Sequence, residues 1–238
     1  MGVQSSFGFT LGRMEKGRLN KITDVPGVRV GHVTRHEGGI NTGVTAILPH
    51  TGDMFHDKCP AASHVINGFG KSIGLVQVNE LGTIETPLLL TNTLSVGTAA
   101  TALVKYMLER NEDIGRDTGT VNPMVFECND GHLNDIRGLH VTEQNALDAL
   151  ANAADDFEEG AVGAGSGMSC YSLKGGIGSA SRVFELYGNK YTVGALLLTN
   201  FGTLRDLTIG GERVGERLYQ KKEAEKAAAE QQDKGSVI

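Results

Sequence analysis

Three stretches put reactive or polar side chains where chemistry needs them. In KGSVI, residues 234–238, Gly235-Ser236 follows the charged, alanine-rich run KKEAEKAAAEQQD. A serine hydroxyl is a weak nucleophile until a base takes its proton. If the bond before Ser236 were cut, the new α-amine, with an ordinary pKa of about 7.7–8.0, could be that base. Glycine before it leaves the carbonyl uncrowded. Gly-Ser alone is too common a pair to establish this. In FECNDGHLNDIRG, residues 126–138, Glu127 ends an apolar run. A partly buried carboxylate needs a cationic partner, either a substrate ammonium or an internal Lys or Arg. Asp130, Asn134 and Asp135 follow, although Asp130-Gly131 is also a turn signal. In LLLTNFG, residues 196–202, Asn200 ends another apolar run. Its amide could donate to a developing oxyanion, or it could be a turn asparagine.

Other candidates are weaker. INGFGKS, residues 66–72, lacks a phosphate cradle, because Val65 stands where a Walker loop requires glycine. His50, His56, Cys59 and His64 fit no usual pair of close metal ligands, so no metal site is read there. The glycine-rich segment 160–182 has no dinucleotide fingerprint. Its glycines suit backbone lying against another backbone or against a ligand.

The elements that must position these groups are read from hydrophobic periodicity. Within 22–34 a Pro-Gly turn is followed by an alternating strand-like run, Val28, Val30 and His32, and further strands are expected at 42–49 and 123–128. Residues 85–93 and 191–200 read as strands buried on both faces. A helix capped by Ser95 carries Val96, Ala99, Ala100, Leu103, Val104, Met107 and Leu108 on one face. A second starts at Thr142, presents Leu147, Leu150, Ala154 and Phe157, and ends at Gly160. Residues 207–215 read as a hairpin around Gly210-Gly211. The result is a mixed α and β domain with helices over a sheet, the sheet being parallel, mixed or stacked.

The chain has 238 residues, 39% of them apolar and 33 of them glycine, enough for one good-sized core. A net charge of -6 argues against nucleic acid or a polybasic membrane surface as partner. No stretch approaches the roughly 20 apolar residues of a membrane span. Cys59, Cys128 and Cys170 are odd in number and far apart, which fits free thiols in a cytoplasmic setting.

Taken in order, ITDVPGVRVGH, NGFGK, PLLLTNTLSVGTA, ECNDGHLNDI, GAVGAGSGM with KGGIGSASR, YTVGALLLTNFG and KGSVI form one pattern. It resembles the L-aminopeptidase/D-esterase family, which includes the β-peptidyl aminopeptidases, over nearly all of residues 20–238. The resemblance implies an α+β fold: an αββα sandwich like the N-terminal-nucleophile hydrolases, with distinct connectivity. It implies a precursor that cuts itself into an α chain ending at Gly235 and a β chain beginning with the nucleophile Ser236. It makes Asn200 the oxyanion asparagine and Glu127 the carboxylate that holds the substrate amine. The implied substrates are short peptides and amino-acid amides or esters, with no metal or cofactor. The implied partners are its own β chain and further αβ units in a homo-oligomer.

On this reading residues 1–215 are the α-chain body and 216–235 a charged linker or helix leading to the processing site. Residues 236–238 start a β chain, which in the family runs on by roughly another hundred residues. Two positions depart from the pattern. Asn129 occupies a substrate-binding position where the family has an aromatic residue, and Lys71 stands where an acidic one is expected. Two alternatives stay open. One is acyl transfer of the ornithine acetyltransferase type, whose nucleophile is threonine rather than serine. The other is a non-catalytic protein that binds small amines.

Overall fold

The computed structural model describes residues 12–232, so Gly235 and Ser236 lie outside the described residues. In chain order the strands are β1 (Arg29–Glu37), β2 (Ile40–Leu48), β3 (Cys59–Pro60), β4 (Thr83–Ile84) and β5 (Leu88–Asn92). They continue as β6 (Met124–Cys128), β7 (Ser169–Cys170), β8 (Leu173–Lys174), β9 (Ile177–Leu186) and β10 (Asn189–Leu198). The helices are α1 (Leu75–Leu81), α2 (Val96–Leu108), α3 (Glu143–Ala151) and α4 (Val214–Gln232).

The main sheet has the order β1-β2-β5-β6. It is mixed: β1, β2 and β5 are antiparallel neighbours, whereas β5 and β6 run parallel with Leu88 opposite Met124 and Asn92 opposite Cys128. Alternate side chains leave opposite faces of such a sheet. On one face Val44, Ala46, Leu89 and Val125 pack against Ala99 and Leu103 of α2 and Ala146, Ala149 and Leu150 of α3. On the other, Val30 and Leu90 meet Phe157, Ala164 and Ile177, with Leu196 and Leu198 of β10 closing the cluster. The layers therefore run helix, sheet, then the β9–β10 hairpin. Fully buried side chains such as Leu89 and Leu103 each stabilise this stack by about 1.5–3 kcal/mol.

Two strand glycines bring the layers together. A Cβ on Gly31 of β1 would lie 2.6 Å from the Ala153 amide nitrogen, where the chain leaves α3. A Cβ on Gly43 of β2 would lie 2.6 Å from the carbonyl oxygen of Gly163. No other residue leaves room for such approaches.

Four expectations need correcting. Ser95 precedes α2, but its side chain makes no capping bond; the Asn92 carboxamide accepts the Ser95 N–H at 3.0 Å instead. Thr142 caps α3 as expected, exchanging bonds with Asn145, but the helix stops at Ala151. There the backbone of Ala154 turns to pair with Val30 at the sheet edge, and Phe157 reaches the opposite core cluster outside any helix. Nor is 191–200 buried on both faces. Among the described residues β10 pairs with β9 alone, and its outward side chains Tyr191, Val193 and Leu197 are exposed. The 207–215 hairpin is reduced to one bridge, Ile209 with Glu212, around Gly210-Gly211. Among the described residues no helix is long and apolar enough to cross a membrane.

Candidate active site

The parallel pair β5–β6 ends in polar residues on both strands, Thr91-Asn92-Thr93 and Glu127-Cys128-Asn129. Strand ends that open into loops are where a rigid sheet can present polar groups to a ligand. Glu127 is partly buried there. One carboxylate oxygen accepts the backbone N–H of Lys71 at 3.1 Å, and the other accepts the hydroxyl of Thr93. Hydrogen bonds to a charged acceptor are the strong kind, so the carboxylate is fixed in place. The Lys71 ammonium does not pair with it. It donates to the Phe69 carbonyl at 2.5 Å and lies over the Phe69 ring, 3.7 Å from its centroid. Among the described residues no Lys or Arg forms an ion pair with Glu127, so the internal cation left open by the sequence is not found there. Glu127 instead borders a cavity of about 510 Å3 whose wall includes Ser63, Ile66, Leu75 and Phe126. The loop INGFGKS thus has a role: it walls this cavity and supplies an N–H to the carboxylate.

Asn200 follows β10, and its amide nitrogen donates to the Asn129 carbonyl oxygen at 2.7 Å. The Cys128 thiol lies 3.6 Å from the Leu198 carbonyl oxygen. The ends of β6 and β10 therefore meet, which brings Glu127 and Asn200 to one region. A carboxamide nitrogen carries two hydrogens, so one N–H of Asn200 is tethered and one remains to donate. The Asn129 side chain accepts the Gly131 N–H at 2.8 Å, a local turn that engages its oxygen. Burial, and then the neighbouring Glu127 charge, push the Cys128 thiol up to about 11. It stays protonated at neutral pH, and a thiol in that state is a poor nucleophile.

Behind these groups lies a buried polar chain. Asp130, 1% exposed, accepts the Thr42 hydroxyl at 2.6 Å and the Asn134 amide at 3.0 Å. Thr42 in turn accepts the Asn92 amide at 2.9 Å. Burial raises the Asp130 pKa despite these bonds. The chain ties β2, β5 and the 130–134 turn together and so fixes the ends of both parallel strands. Sequence reading singled out Asp130 and Asn134 but missed Thr93, Thr42 and Asn92. The available signal was that two neighbouring apolar strands both break into polar runs, TNT and ECND.

His50 and His56 have other roles, whereas His64 is part of the wall of the Glu127 cavity. Both ring nitrogens of His50 serve the 50–57 loop, accepting the Gly52 N–H and donating to the Asp57 carbonyl, each at 3.0 Å. His56 bridges Asp53 at 2.7 Å and Asp113 at 3.0 Å, and these carboxylates raise its pKa.

A family model described as peptidase family S58 matches residues 20–238. The chain is 41% identical over 212 residues to the beta-peptidyl aminopeptidase BapA of Sphingosinicella microcystinivorans, covering 85% of this chain and 52% of that protein. Among solved structures it superposes on the PH0078 protein from Pyrococcus horikoshii OT3 with a TM-score of 0.90 and 56% identity. That match covers 92% of this chain and 64% of the other. It also superposes on the L-aminopeptidase D-Ala-esterase/amidase of Ochrobactrum anthropi with a TM-score of 0.81 and 38% identity, covering 87% and 60%. The latter is described as a prototype for the serine aminopeptidases and a new variant among the Ntn hydrolase fold. These likenesses bear out the expected fold class, an Ntn-hydrolase-like α+β sandwich. The chain spans about half the length of the curated BapA relatives it matches.

Proposed function

The chain belongs to peptidase family S58, and on that premise we propose that it supplies the substrate-binding part of a self-processing serine aminopeptidase. The observation that carries this reading is Glu127: a carboxylate fixed by two donors, without an ion-pair partner among the described residues, bordering a cavity. A group built this way suits the N-terminal ammonium of a short peptide, amino-acid amide or ester. Asn129, two positions further along, faces the remainder of the substrate.

In the reaction the substrate ammonium docks on Glu127 and its carbonyl oxygen accepts the untethered N–H of Asn200. The Gly235–Ser236 bond is hydrolysed beforehand, which frees the α-amine of Ser236. The Ser236 oxygen bonds to the substrate carbonyl carbon while its proton passes to that amine. Asn200 stabilises the oxyanion that forms. When the tetrahedral species collapses, the bond to the leaving amine or alcohol breaks and the leaving group takes the proton. Water then adds to the acyl-enzyme ester, the Ser236 amine again accepting a proton, and releases the carboxylic acid with Ser236 restored.

The partners follow from the same reading: the β chain that begins at Ser236, and further αβ units in a homo-oligomer. The exposed apolar side chains of β10 are consistent with such cover. Three free cysteines support a cytoplasmic location.

Two measurements on the full-length protein test the reading. Intact mass with N-terminal sequencing should find a second chain beginning at Ser236. Hydrolysis of an aminoacyl p-nitroanilide should be present in the wild type and abolished in Ser236→Ala. An unchanged rate in Ser236→Ala would show that the nucleophile has been assigned wrongly.

A further inference from the structure

The β7–β8 ribbon reverses through Tyr171 and Ser172, both in the left-handed region with φ of 52° and 56°. A two-residue hairpin turn favours that region at both positions, but side chains other than Gly, Asn and Asp are strained in it, so contacts are needed to hold Tyr171 and Ser172 there. Two sets of contacts do so. At the tip, the Tyr171 N–H donates to the Phe201 carbonyl at 2.7 Å and the two rings meet edge to face, 5.1 Å apart. Gly202 lies so close that a Cβ there would sit 2.6 Å from the Tyr171 ring. At the base, the Lys174 ammonium donates to three backbone carbonyls: Gly165 at 3.0 Å, Met168 at 3.2 Å and Gly175 at 2.7 Å. Among the described residues Lys174 pairs with no carboxylate, so its three donors are used to gather backbone.

The ribbon and the glycines that follow it hold the chain on both sides of Asn200. Phe201 is held by Tyr171, and the Thr199 N–H reaches the Gly176 carbonyl at 3.4 Å. The Asn200 side chain is held from across by Asn129. Lys174 and Asn200 border the same cavity, of about 610 Å3. We propose that Lys174 is a positioning residue for Asn200: it locks the strained ribbon, and the ribbon keeps the free N–H of Asn200 aimed at the substrate carbonyl. This rests on the aminopeptidase reading above and gives the glycine-rich segment a function. Its glycines allow the close approaches that place three carbonyls around one ammonium.

The test uses the full-length protein and an aminoacyl p-nitroanilide. A donor aimed at an oxyanion acts in the transition state, so misaiming it lowers kcat rather than raising KM. Lys174→Met should lower kcat by about 10- to 100-fold with KM within about twofold. Lys174→Arg, which keeps the charge and the donors, should recover most of that loss. Backbone hydrogen exchange of the 199–202 segment should be about tenfold faster in Lys174→Met than in the wild type. Should Lys174→Met fail to fold, Lys174→Gln takes its place with the same expectations. An unchanged kcat, or a loss carried by KM alone, overturns the proposal. If the wild type hydrolyses nothing, the aminopeptidase reading fails by itself, and hydrogen exchange decides the grip: equal exchange in wild type and variant overturns it.

Discussion

Replacing Glu127 by glutamine removes a charge and almost nothing else. The glutamine oxygen keeps the Lys71 N–H, and its amide nitrogen faces Thr93, whose hydroxyl rotates from donor to acceptor. The fold should therefore lose less than about 1 kcal/mol. Substrate binding should lose more. Opposite charges about 4 Å apart attract by about 1 kcal/mol in bulk water and about 4 kcal/mol near a protein surface. A partly buried carboxylate on a cavity wall lies between these limits, at about 2–3 kcal/mol, or about 30- to 150-fold in kcat/KM. The ammonium is held equally before and during the reaction, so the loss should appear mainly in KM. The assay measures four values of kcat/KM: wild type and Glu127→Gln, each with an aminoacyl p-nitroanilide and with its analogue lacking the amine. If carboxylate and amine touch, the wild type prefers the amine-bearing substrate by that factor and the variant has lost the preference. The coupling around the cycle is then about 2–3 kcal/mol. A cycle that closes to within a factor of two would refute the docking of the amine on Glu127.

Three further expectations follow from other parts of the structure. Asn200→Ala should lower kcat by about 100- to 1,000-fold; a change confined to KM would remove it from the oxyanion site. Gly163→Ala combines a left-handed φ of 52° with a Cβ 2.7 Å from the His32 ring nitrogen, and should cost about 2–5 kcal/mol. Calorimetry would contradict this if the melting temperature fell by less than about 4 °C. Glu85 is 4% exposed and bonded to Lys58 at 2.7 Å and to Asn122. Burial works to raise its pKa, but the Lys58 and Asn122 bonds outweigh that and hold it below the ordinary glutamate value. A depressed carboxylate contributes stability above its unfolded pKa and loses it as pH falls through the folded one. Glu85→Gln should thus cost about 2–3 kcal/mol in urea unfolding at pH 7, Lys58 being partly solvated, and much less in strong acid. Equal cost at both pH values would show that the pair is not the source.

Much of this arrangement is legible in the residues. The alternation of Val28, Val30 and His32, the run at 42–49 closed by Pro49 and the apolar runs at 85–93 and 123–128 mark the four strands of the main sheet, each to within a few residues. Glu127 and Asn200 stand out because each ends such a run in a polar side chain. The failures have physical causes. An apolar strand does not say what covers it, so Tyr191, Val193 and Leu197 read as core although they are exposed. Ser95 and Asn92 are both good capping residues, and only the geometry of the turn decides which side chain reaches the N–H. Lys174 gives no signal at all, because its partners are backbone carbonyls, which every residue possesses. Thr93 is inconspicuous for a related reason: its partner, Glu127, lies 34 residues away and is reached only through the parallel pairing of β5 with β6.

Gly31 and Gly43 bear on how such a protein would appear in a saturation-mutagenesis screen scored by activity. Each lies mid-strand with foreign backbone where a side chain would begin, so every substitution has to push whole layers apart. Both positions would score as intolerant as a nucleophile, although neither is among the residues that line the cavities at Glu127 and Asn200. A screen scored by the amount of folded protein would separate the two kinds of intolerance. Gly31 and Gly43 would fail it, whereas Glu127→Gln would pass and lose only activity at limiting substrate. A map of intolerant sites without that second score would place the catalytic centre on β1 and β2, although Glu127 stands on β6, beyond β5.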